Sequence, residues 1–307
     1  MRMIFIGAGP VGLTMARLFS DAGHKIVYFI SRDEKRRQKA KEFSHALKTG
    51  HSFSEIDEDF DVLFISTPDD TIGEIAERIA TQIKSGVNFY VGHFSGSVPS
   101  SVLQPLKNKG CRIGSLHPLQ TFTSPKETIN TFAGTYICVE GDNEAVNLFL
   151  QLATEIGGNP FSISTDKKPL YHAAAVIACN YLVTLINDAY RLLQEIGVNK
   201  ENAVKMLLPL IKATVKNIET VGIPKALTGP IARGDVTTLL NHIENIKEKT
   251  PESLALYVVL GLKTIEVSRA KRDITDETAK NMKQLFQKTM LLPRCWQWAR
   301  AESPPPL

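Results

Sequence analysis

The fold is decided at the start of the chain by the stretch Met3-Ile4-Phe5-Ile6-Gly7-Ala8-Gly9-Pro10-Val11-Gly12. The apolar run predicts a buried parallel strand, and helical spacing of apolar residues follows from Leu13 to Phe19. Gly7 permits a tight turn, Gly9 lets backbone amides approach a pyrophosphate, and Gly12 lets helix and strand pack closely. We expect a dinucleotide at the positive end of this helix, contacted by Gly7, Gly9, Pro10, Val11 and Gly12. The alternative is a structural turn that only resembles such a site.

The end of the second strand, Lys25 to Ile30, indicates which dinucleotide binds. An NAD-selective site places an acid there for the ribose hydroxyls, whereas this chain has Ser31 and Arg32. A hydroxyl and a guanidinium favour a 2′-phosphate, so we expect NADP(H). The alternative is an ordinary solvated helix start, because Asp33 and Glu34 flank the basic residues that follow.

Composition and charge exclude several classes of function. The 307 residues suffice for two domains, and a net charge of +4 without a long basic run argues against nucleic-acid binding. The four cysteines lack metal-type spacing, so we expect no metal site and a reduced, cytoplasmic protein. We expect no signal peptide before the first strand. The most apolar segment, Ala173 to Ile186, is shorter than a bilayer requires, so we expect a buried helix and no membrane contact.

Strands and helices alternate through the first half of the chain, which predicts an α/β, doubly wound and mostly parallel Rossmann sheet. Ligands of such sheets bind beyond the carboxyl ends of the strands. Polar residues fall at those ends, and they are Thr67, Pro68, His93, Ser95 and His117. We expect the first four to contact the cofactor and His117 to act in catalysis. Each also has a structural interpretation, as a loop-shaping or hydrogen-bonded residue.

Beyond Ser164 the pattern is helical only, so we expect an all-α domain at residues 165–298 after a dinucleotide-binding domain at 1–164. A proline-rich disordered tail is expected at 299–307. A long helix from Pro169 to Ile196 would carry His172 and Asn180 on one polar stripe, which partners or a ligand must satisfy. Farther on, Arg233 and Asp235 could contact the substrate or simply form a local ion pair at a turn.

The chain resembles Rossmann-like oxidoreductases that end in a helical domain of unknown function, family 2520. The matching stretches are the opening glycine turn, His93 with Ser95-Gly96, Leu116-His117-Pro118 with Phe122, Tyr171-His172 through Asn180, and Thr228 to Asp235. The resemblance implies a relative of pyrroline-carboxylate reductase, ketopantoate reductase and 6-phosphogluconate dehydrogenase, dimeric through its helical half. It implies no substrate. Related dehydrogenases use a lysine on the first helix after the sheet, which makes Lys168 a candidate, although its spacing from Asn180 differs from theirs.

These observations predict an NADP(H)-dependent oxidoreductase that reduces a carbonyl or imine of a small metabolite. Such a reaction needs a proton donor as charge develops, and the candidates are His117, His172 and Lys168, with Asn180 as an orienting donor. Two alternatives remain open. One is a non-catalytic sensor or scaffold dimer that binds NADP(H), and the other is an oxidoreductase with deazaflavin as redox partner.

Overall fold

The computed structural model describes residues 1–292 of the chain. They divide into two compact units, the first from Met1 to Cys179 and the second from Asn180 onward. The sequence-based boundary at Ser164 lies earlier, because the first helix after the sheet groups with the sheet. The expected tail at 299–307 and Cys295 lie outside the described residues.

The first unit is built on a sheet that has eight strands within the described residues. They are β1 Arg2–Ile6, β2 Lys25–Ile30, β3 Lys48–Gly50, β4 Val62–Ile65, β5 Tyr90–His93, β6 Arg112–Pro118, β7 Tyr136–Gly141 and β8 Asn159–Ser162. Their order across the sheet is β3-β2-β1-β4-β5-β6-β7-β8. Strands β1 to β6 are parallel, as the alternating pattern predicts.

The last two strands run the other way. Strand β7 pairs antiparallel with β6, and β8 pairs parallel with β7. This reversal sets Glu140 of β7 directly opposite Ser115 of β6.

Seven helices of the first unit cover both faces of the sheet. They are α1 Pro10–Asp21, α2 Glu34–Ser44, α3 Ile72–Gln82, α4 Gln104–Lys107, α5 Pro125–Asn130, α6 Asn143–Glu155 and α7 Lys168–Ala178. Because successive side chains of a strand point to opposite faces, Met3 and Phe5 of β1 pack in one apolar core, while Ile4 and Ile6 pack in the other. The strand is therefore buried on both sides, as its unbroken apolar run indicates.

The second unit is helical in its described part. Its helices are α8 Asn180–Glu195, α9 Lys200–Val221, α10 Ile223–Ala226, α11 Pro230–Arg233, α12 Val236–Lys249, α13 Leu254–Lys271 and α14 Asp276–Met290. Helices α12, α13 and α14 enclose a core that includes Leu239, Val258 and Phe286.

The long helix expected from Pro169 to Ile196 is interrupted at Cys179, where the backbone leaves regular helical geometry and α7 ends. Pro209 lies inside α9, which continues to Val221. A proline removes one backbone donor, and the remaining hydrogen bonds of this 22-residue helix span the gap.

The expectation that Ala173 to Ile186 is buried is also wrong. Ile177, Tyr181 and Val183 are 62%, 57% and 66% exposed. The segment Thr165–Glu195 is long and apolar enough to cross a membrane by length and composition, and none of that apolar window is buried. A single helix of this kind is weak support for a membrane span. The apolar pattern of α8 therefore does not come from packing among residues 1–292.

Candidate functional site

The glycine turn after β1 is shaped by steric limits at two positions. Gly7 has φ +107°, and a Cβ there would lie 2.7 Å from the backbone carbonyl carbon of Ser66. A Cβ on Gly12 would collide with the Ser66 side chain and lie 2.5 Å from the carbonyl oxygen of Gly7. At Gly9, by contrast, the nearest atom would be 3.9 Å away. Gly7 and Gly12 thus let the strands and α1 approach, while Gly9 leaves open space at the start of α1.

A groove of about 790 Å³ lies at the carboxyl ends of β1, β2 and β4. Seven residues expected to hold the cofactor line it, and they are Gly7, Gly9, Pro10, Ser31, Arg32, Thr67 and Pro68. Val11 and Gly12 belong to α1 behind the turn rather than to this lining. Sequence reasoning did not assign His51, Phe53 or Arg78, which also line the groove. They come from a loop and a helix that no local motif connects to the turn.

One end of the groove is basic. Arg32 and Arg36 line it, and neither forms an ion pair within residues 1–292. Asp33 lines the same end of the groove, and its carboxylate accepts a hydrogen bond from the Arg36 backbone amide and caps α2. Arg37 donates to the carbonyl oxygens of Ser31 and Arg32 at 2.7 and 3.1 Å, which holds this loop in place.

Thr67 presents an unused polar atom at the same groove. Its Oγ1 is buried and lacks a hydrogen-bond partner among the described residues. Buried hydroxyls are ordinarily paired. Because Thr67 also lines the groove, its hydroxyl is available to a bound ligand.

Ser95 connects two loops at the sheet edge instead of lining the groove. Its Oγ donates to the Asp69 carboxylate at 2.7 Å, and Ser97 donates to the same oxygen at 2.6 Å. The backbone amides of Ser97 and Val98 donate to Ser95 Oγ. The loop after β5 is thereby fastened to the loop that begins with Thr67 and Pro68.

His93, expected to contact the cofactor, has no exposed surface. Its Nδ1 accepts a hydrogen bond from the Ser95 amide at 3.2 Å, so the ring supports the turn after β5. Burial, followed by the charge of Lys168, lowers the pKa of His93 to about 3. The ring is neutral and enclosed, and its Nε2 is buried without a hydrogen-bond partner among the described residues.

His117 and His172 converge at Gly96. A Cβ on Gly96 would lie 2.6 Å from His117 Nε2 and 2.7 Å from His172 Nδ1. The two rings are 6.1 Å apart at 79°, and His172 Nδ1 is buried without a hydrogen-bond partner among the described residues. The structure thus brings together the two histidines that the sequence proposed separately, at a turn one residue from Ser95.

Tyr171 holds the other side of the His117 ring. Its hydroxyl lies 2.8 Å from His117 Nδ1, and the rings meet edge to face at 5.6 Å. Burial lowers the pKa of His117 to about 4, with further lowering by the charges of Lys168 and His172. Sequence reasoning missed Tyr171, although its place directly before His172 on a helix offered a signal.

Lys168 lies within the protein and not at a ligand-accessible surface. Its Nζ is 3.0 Å from Glu140 Oε1 and also donates to Ser115 Oγ. Glu140 accepts further hydrogen bonds from Ser100 and Thr165. Both charged side chains are at most 1% exposed. This geometry gives Lys168 the role of an anchor for the start of α7 rather than that of a proton donor.

Burial by itself would raise the pKa of Glu140. The charge of Lys168 and the hydroxyl donors outweigh it and hold this pKa at about 2. Glu140 is therefore an ionised partner in a saturated polar cluster. No motif indicated it, because it ends an otherwise apolar strand.

The remaining candidates lie in the second unit. Asn180 begins α8 and is exposed. Asp235 caps α12 by accepting from the Thr238 amide at 3.0 Å. Arg233 is exposed and makes no contact ion pair with Asp235 in the described part of the chain. The hydrogen bonds from Thr238 lower the pKa of Asp235, and the charge of Arg233 contributes further.

No group of three or more His, Cys, Asp or Glu side chains is placed to hold a metal ion within residues 1–292. Cys111 and Cys138 are buried, and Cys179 is exposed.

Two family models match the chain, in the same order as the sheet-containing unit and the helical unit of the structure. Residues 1–118 match the model of the Rossmann-like domain family, and residues 135–264 match that of DUF2520, a domain of unknown function. Successive parts of the chain thus match a Rossmann-like domain and a DUF2520 domain. The DUF2520 match begins at residue 135, directly before β7 and well before the boundary expected at Ser164. No curated protein sequence matches the chain.

Solved structures share this architecture. Protein TM1727 from Thermotoga maritima is 25% identical, with a TM-score of 0.67 over 91% of this chain and 98% of its own. BF3122 from Bacteroides fragilis, named as an NADP oxidoreductase, is 22% identical, with a TM-score of 0.67 over 89% and 98%. The reductive aminase from Aspergillus terreus, solved with NADPH4, cyclohexanone and allyl amine, is 14% identical, with a TM-score of 0.56 over 95% and 94%. The last two likenesses concern the fold.

Proposed function

We propose that this Rossmann-like DUF2520 protein is an NADP(H)-dependent oxidoreductase that reduces a carbonyl or an imine of a small metabolite. The observation that carries the proposal is the groove at the ends of β1, β2 and β4, open at Gly9 and basic at Arg32 and Arg36. Amides at the start of α1 and a guanidinium at the end of β2 suit a pyrophosphate and a 2′-phosphate.

The choice of NADP(H) over NAD(H) rests on the end of β2. An NAD site uses a carboxylate there to bind the ribose hydroxyls. Directly after β2 this chain has Ser31 and Arg32, which line the groove. Asp33 also lines the groove, but it is the third residue after the strand and its Oδ1 accepts the hydrogen bond that caps α2. The bracing by Arg37 reduces the entropy lost when Ser31 and Arg32 bind a phosphate.

The bound cofactor would supply the hydride, and the protein would bind, orient and protonate the acceptor. His117 and His172 are the residues placed for this task, because two ring nitrogens meet at Gly96 beside the loop fastened to Pro68 through Asp69. Lys168 would act at a distance, by fixing the start of the helix that carries His172.

We further propose that two copies of the chain associate through their helical units. Large apolar side chains on α8 and α9 are exposed, among them Val183 at 66% and Leu210 at 65%. Contiguous exposed apolar surface on this scale is typical of protein interfaces. A soluble, cytoplasmic homodimer would cover it without a membrane.

The decisive experiment is a fluorescence titration of the protein with NADPH and with NADH. We expect NADPH to bind more tightly. Arg32→Ala should weaken NADPH binding by about 1.5–3 kcal/mol, since it removes a charged hydrogen bond, and should leave NADH binding nearly unchanged. Lys39→Ala is the matched control, because Lys39 is exposed on α2 but does not line the groove.

Absence of NADPH binding would overturn the proposal, and equal affinity for the two cofactors would overturn the selectivity. NADPH consumption with a panel of aldehydes, keto acids and imines then tests for catalysis. Tight binding without turnover of any of them would favour the non-catalytic sensor, and turnover only with a deazaflavin would favour that redox partner.

A further inference from the structure

The donor and the acceptor of the hydrogen bond between Tyr171 and His117 can be assigned. A phenol is a stronger acid than a neutral imidazole N–H, and a bare imidazole nitrogen is a better acceptor than a phenolic oxygen. Within residues 1–292, the Tyr171 hydroxyl has His117 Nδ1 as its hydrogen-bond partner, at 2.8 Å. Tyr171 therefore donates, and His117 Nδ1 accepts.

The electrostatic surroundings keep both groups neutral. Burial raises the pKa of Tyr171, which preserves the phenolic proton. Burial, Lys168 and His172 depress the pKa of His117, against an opposing contribution from Asp69. A neutral imidazole carries one proton, so an accepting Nδ1 leaves that proton on Nε2.

The protonated nitrogen faces the turn at Gly96. Nε2 would lie 2.6 Å from a Cβ at this position, and it makes no hydrogen bond to another described residue. His172 Nδ1 borders the same point and is also unpaired among the described residues. An N–H donor that has no partner among the described residues thus borders Gly96, near the carboxyl end of β6, and ligands of such sheets bind beyond the carboxyl ends of the strands.

We propose that Tyr171 holds His117 as the Nε2–H tautomer, so that the site takes a carbonyl group as its hydride acceptor and disfavours a protonated iminium. The inference rests on the proposed function and narrows its substrate class. A carbonyl oxygen has lone pairs that accept from Nε2–H. A protonated iminium nitrogen carries its own N–H and a positive charge. Its N–H would face the Nε2–H of His117, and no hydrogen bond could form between the two donors.

The reaction balances as follows. The carbonyl carbon gains a hydride from the reduced nicotinamide, the π pair of the C=O bond moves to oxygen, and that oxygen takes the proton of His117 Nε2. Nδ1 takes the phenolic proton of Tyr171. When the alcohol leaves, Nε2 takes a proton from solvent and Nδ1 returns its proton to the phenolate, which restores the Nε2–H tautomer. The products are an alcohol and the oxidised cofactor. Tyr171 acts through His117 and is therefore a positioning residue as well as a proton relay.

The tautomer can be read without any substrate. In protein labelled with ¹⁵N-histidine, NMR near neutral pH should report His117 with a bare Nδ1 and a protonated Nε2, with the signal assigned by its loss in His117→Asn. Tyr171→Phe removes the donor, so we expect both tautomers to become populated. Tyr181→Phe is the matched control, because this exposed tyrosine lies in the second unit. A protonated Nδ1 in the wild-type protein would overturn the proposal whether or not the variant folds.

Activity gives the second readout, in which a ketone and the cyclic iminium of the same carbon skeleton are compared with NADPH. We expect faster turnover of the ketone. In Tyr171→Phe we expect kcat to fall by about 10- to 100-fold, towards the lower end of general acid–base contributions, with NADPH affinity unchanged. Faster turnover of the iminium, or an unchanged kcat in Tyr171→Phe, would overturn the proposal. Loss of NADPH binding by the wild-type protein would instead refute the proposed function, since the NMR result does not depend on the cofactor.

Discussion

The ammonium of Lys168 lies 3.0 Å from the carboxylate of Glu140, and water reaches neither side chain. The pair joins the start of α7 to the end of β7, one helical turn before His172. The charged residues nearest the two catalytic candidates therefore serve to fix the position of a helix.

Breaking this pair should destabilise the protein strongly. Glu140→Gln leaves an uncompensated buried ammonium, and we expect the free energy of unfolding to fall by about 3–5 kcal/mol. Urea unfolding measures this loss. Glu201→Gln, which breaks the exposed pair with Lys205, is the control and should cost about 0.5 kcal/mol or less. Replacing both partners, as in Glu140→Leu with Lys168→Met, should recover much of the loss. A small effect of Glu140→Gln alone would contradict the assignment.

The glycines of the first turn should separate binding from folding. Gly9→Ala finds open space in the free protein, so the free energy of unfolding should change little, while NADPH binding weakens because the methyl group occupies the pyrophosphate position. Gly12→Ala should lower stability by about 1–3 kcal/mol, because the added methyl meets Ser66 and the Gly7 carbonyl. Thermal unfolding and NADPH titration of both variants provide the measurement. If Gly9→Ala lowered stability and left NADPH binding unchanged, while Gly12→Ala weakened binding alone, the turn would hold no pyrophosphate.

Gly96→Ala should disable the histidine pair directly. Its methyl group would occupy the point where His117 Nε2 and His172 Nδ1 converge, so both rings must shift. We expect turnover to fall by at least about 100-fold, since small misplacements of catalytic groups have effects of this size. NADPH affinity should be retained, because Gly96 does not line the groove. Full turnover by this variant would remove the two histidines from the mechanism.

Stability should fall as the solution is made mildly acidic. His93 and His117 have folded pKa values of about 3 and about 4, below the ordinary 6.5. Between about pH 6.5 and pH 4 the unfolded chain binds protons that the folded chain refuses, so the free energy of unfolding drops as pH falls. The stabilising effect of Glu140, whose pKa is lowered from 4.5 to about 2, is lost only at lower pH. Urea unfolding near pH 7 and pH 5 should show this slope, and His117→Gln should reduce it. An equally steep slope in the variant would contradict the low pKa of His117.

The exposed apolar face of the second unit should control assembly. Light scattering should give twice the chain mass of 33.9 kDa, and Val183→Asp with Leu210→Asp should shift the protein towards monomer. Leu47→Asp is the matched control, because Leu47 is an exposed apolar residue of the first unit. A monomeric wild-type protein at micromolar concentration would refute the homodimer.

Local sequence predicted the parts of the fold that local physics determines. The run from Met3 to Ile6 indicated a strand buried on both faces, and Gly7 and Gly12 occupy the positions that steric limits require. The sequence does not show that β7 is antiparallel to β6, since an apolar strand has the same pattern in either orientation. Glu140 was missed for that reason, and with it the burial of Lys168. The apolar stripe of α8 could likewise indicate a core or an interface, because periodicity says only that one face avoids water.

Among the candidate site residues, His117 was predicted from its place at the end of a strand and His172 from a polar stripe on an apolar helix. Their meeting at Gly96 depends on a helix returning across the sheet, which spacing along the chain does not reveal. Tyr171 was passed over because a tyrosine on an apolar helix usually packs in a core.

The buried Lys168 at the start of α7 also fixes the position of His172. The two residues are four positions apart on the helix, which is about one turn of 5.4 Å, so the height and direction of the imidazole are set relative to the buried ammonium. One residue inserted between them would swing the ring by about 100° around the helix axis and withdraw its nitrogen from the meeting point. Length variation in this protein should therefore be tolerated before Lys168 or after Ala178, and excluded from the single turn between ammonium and imidazole.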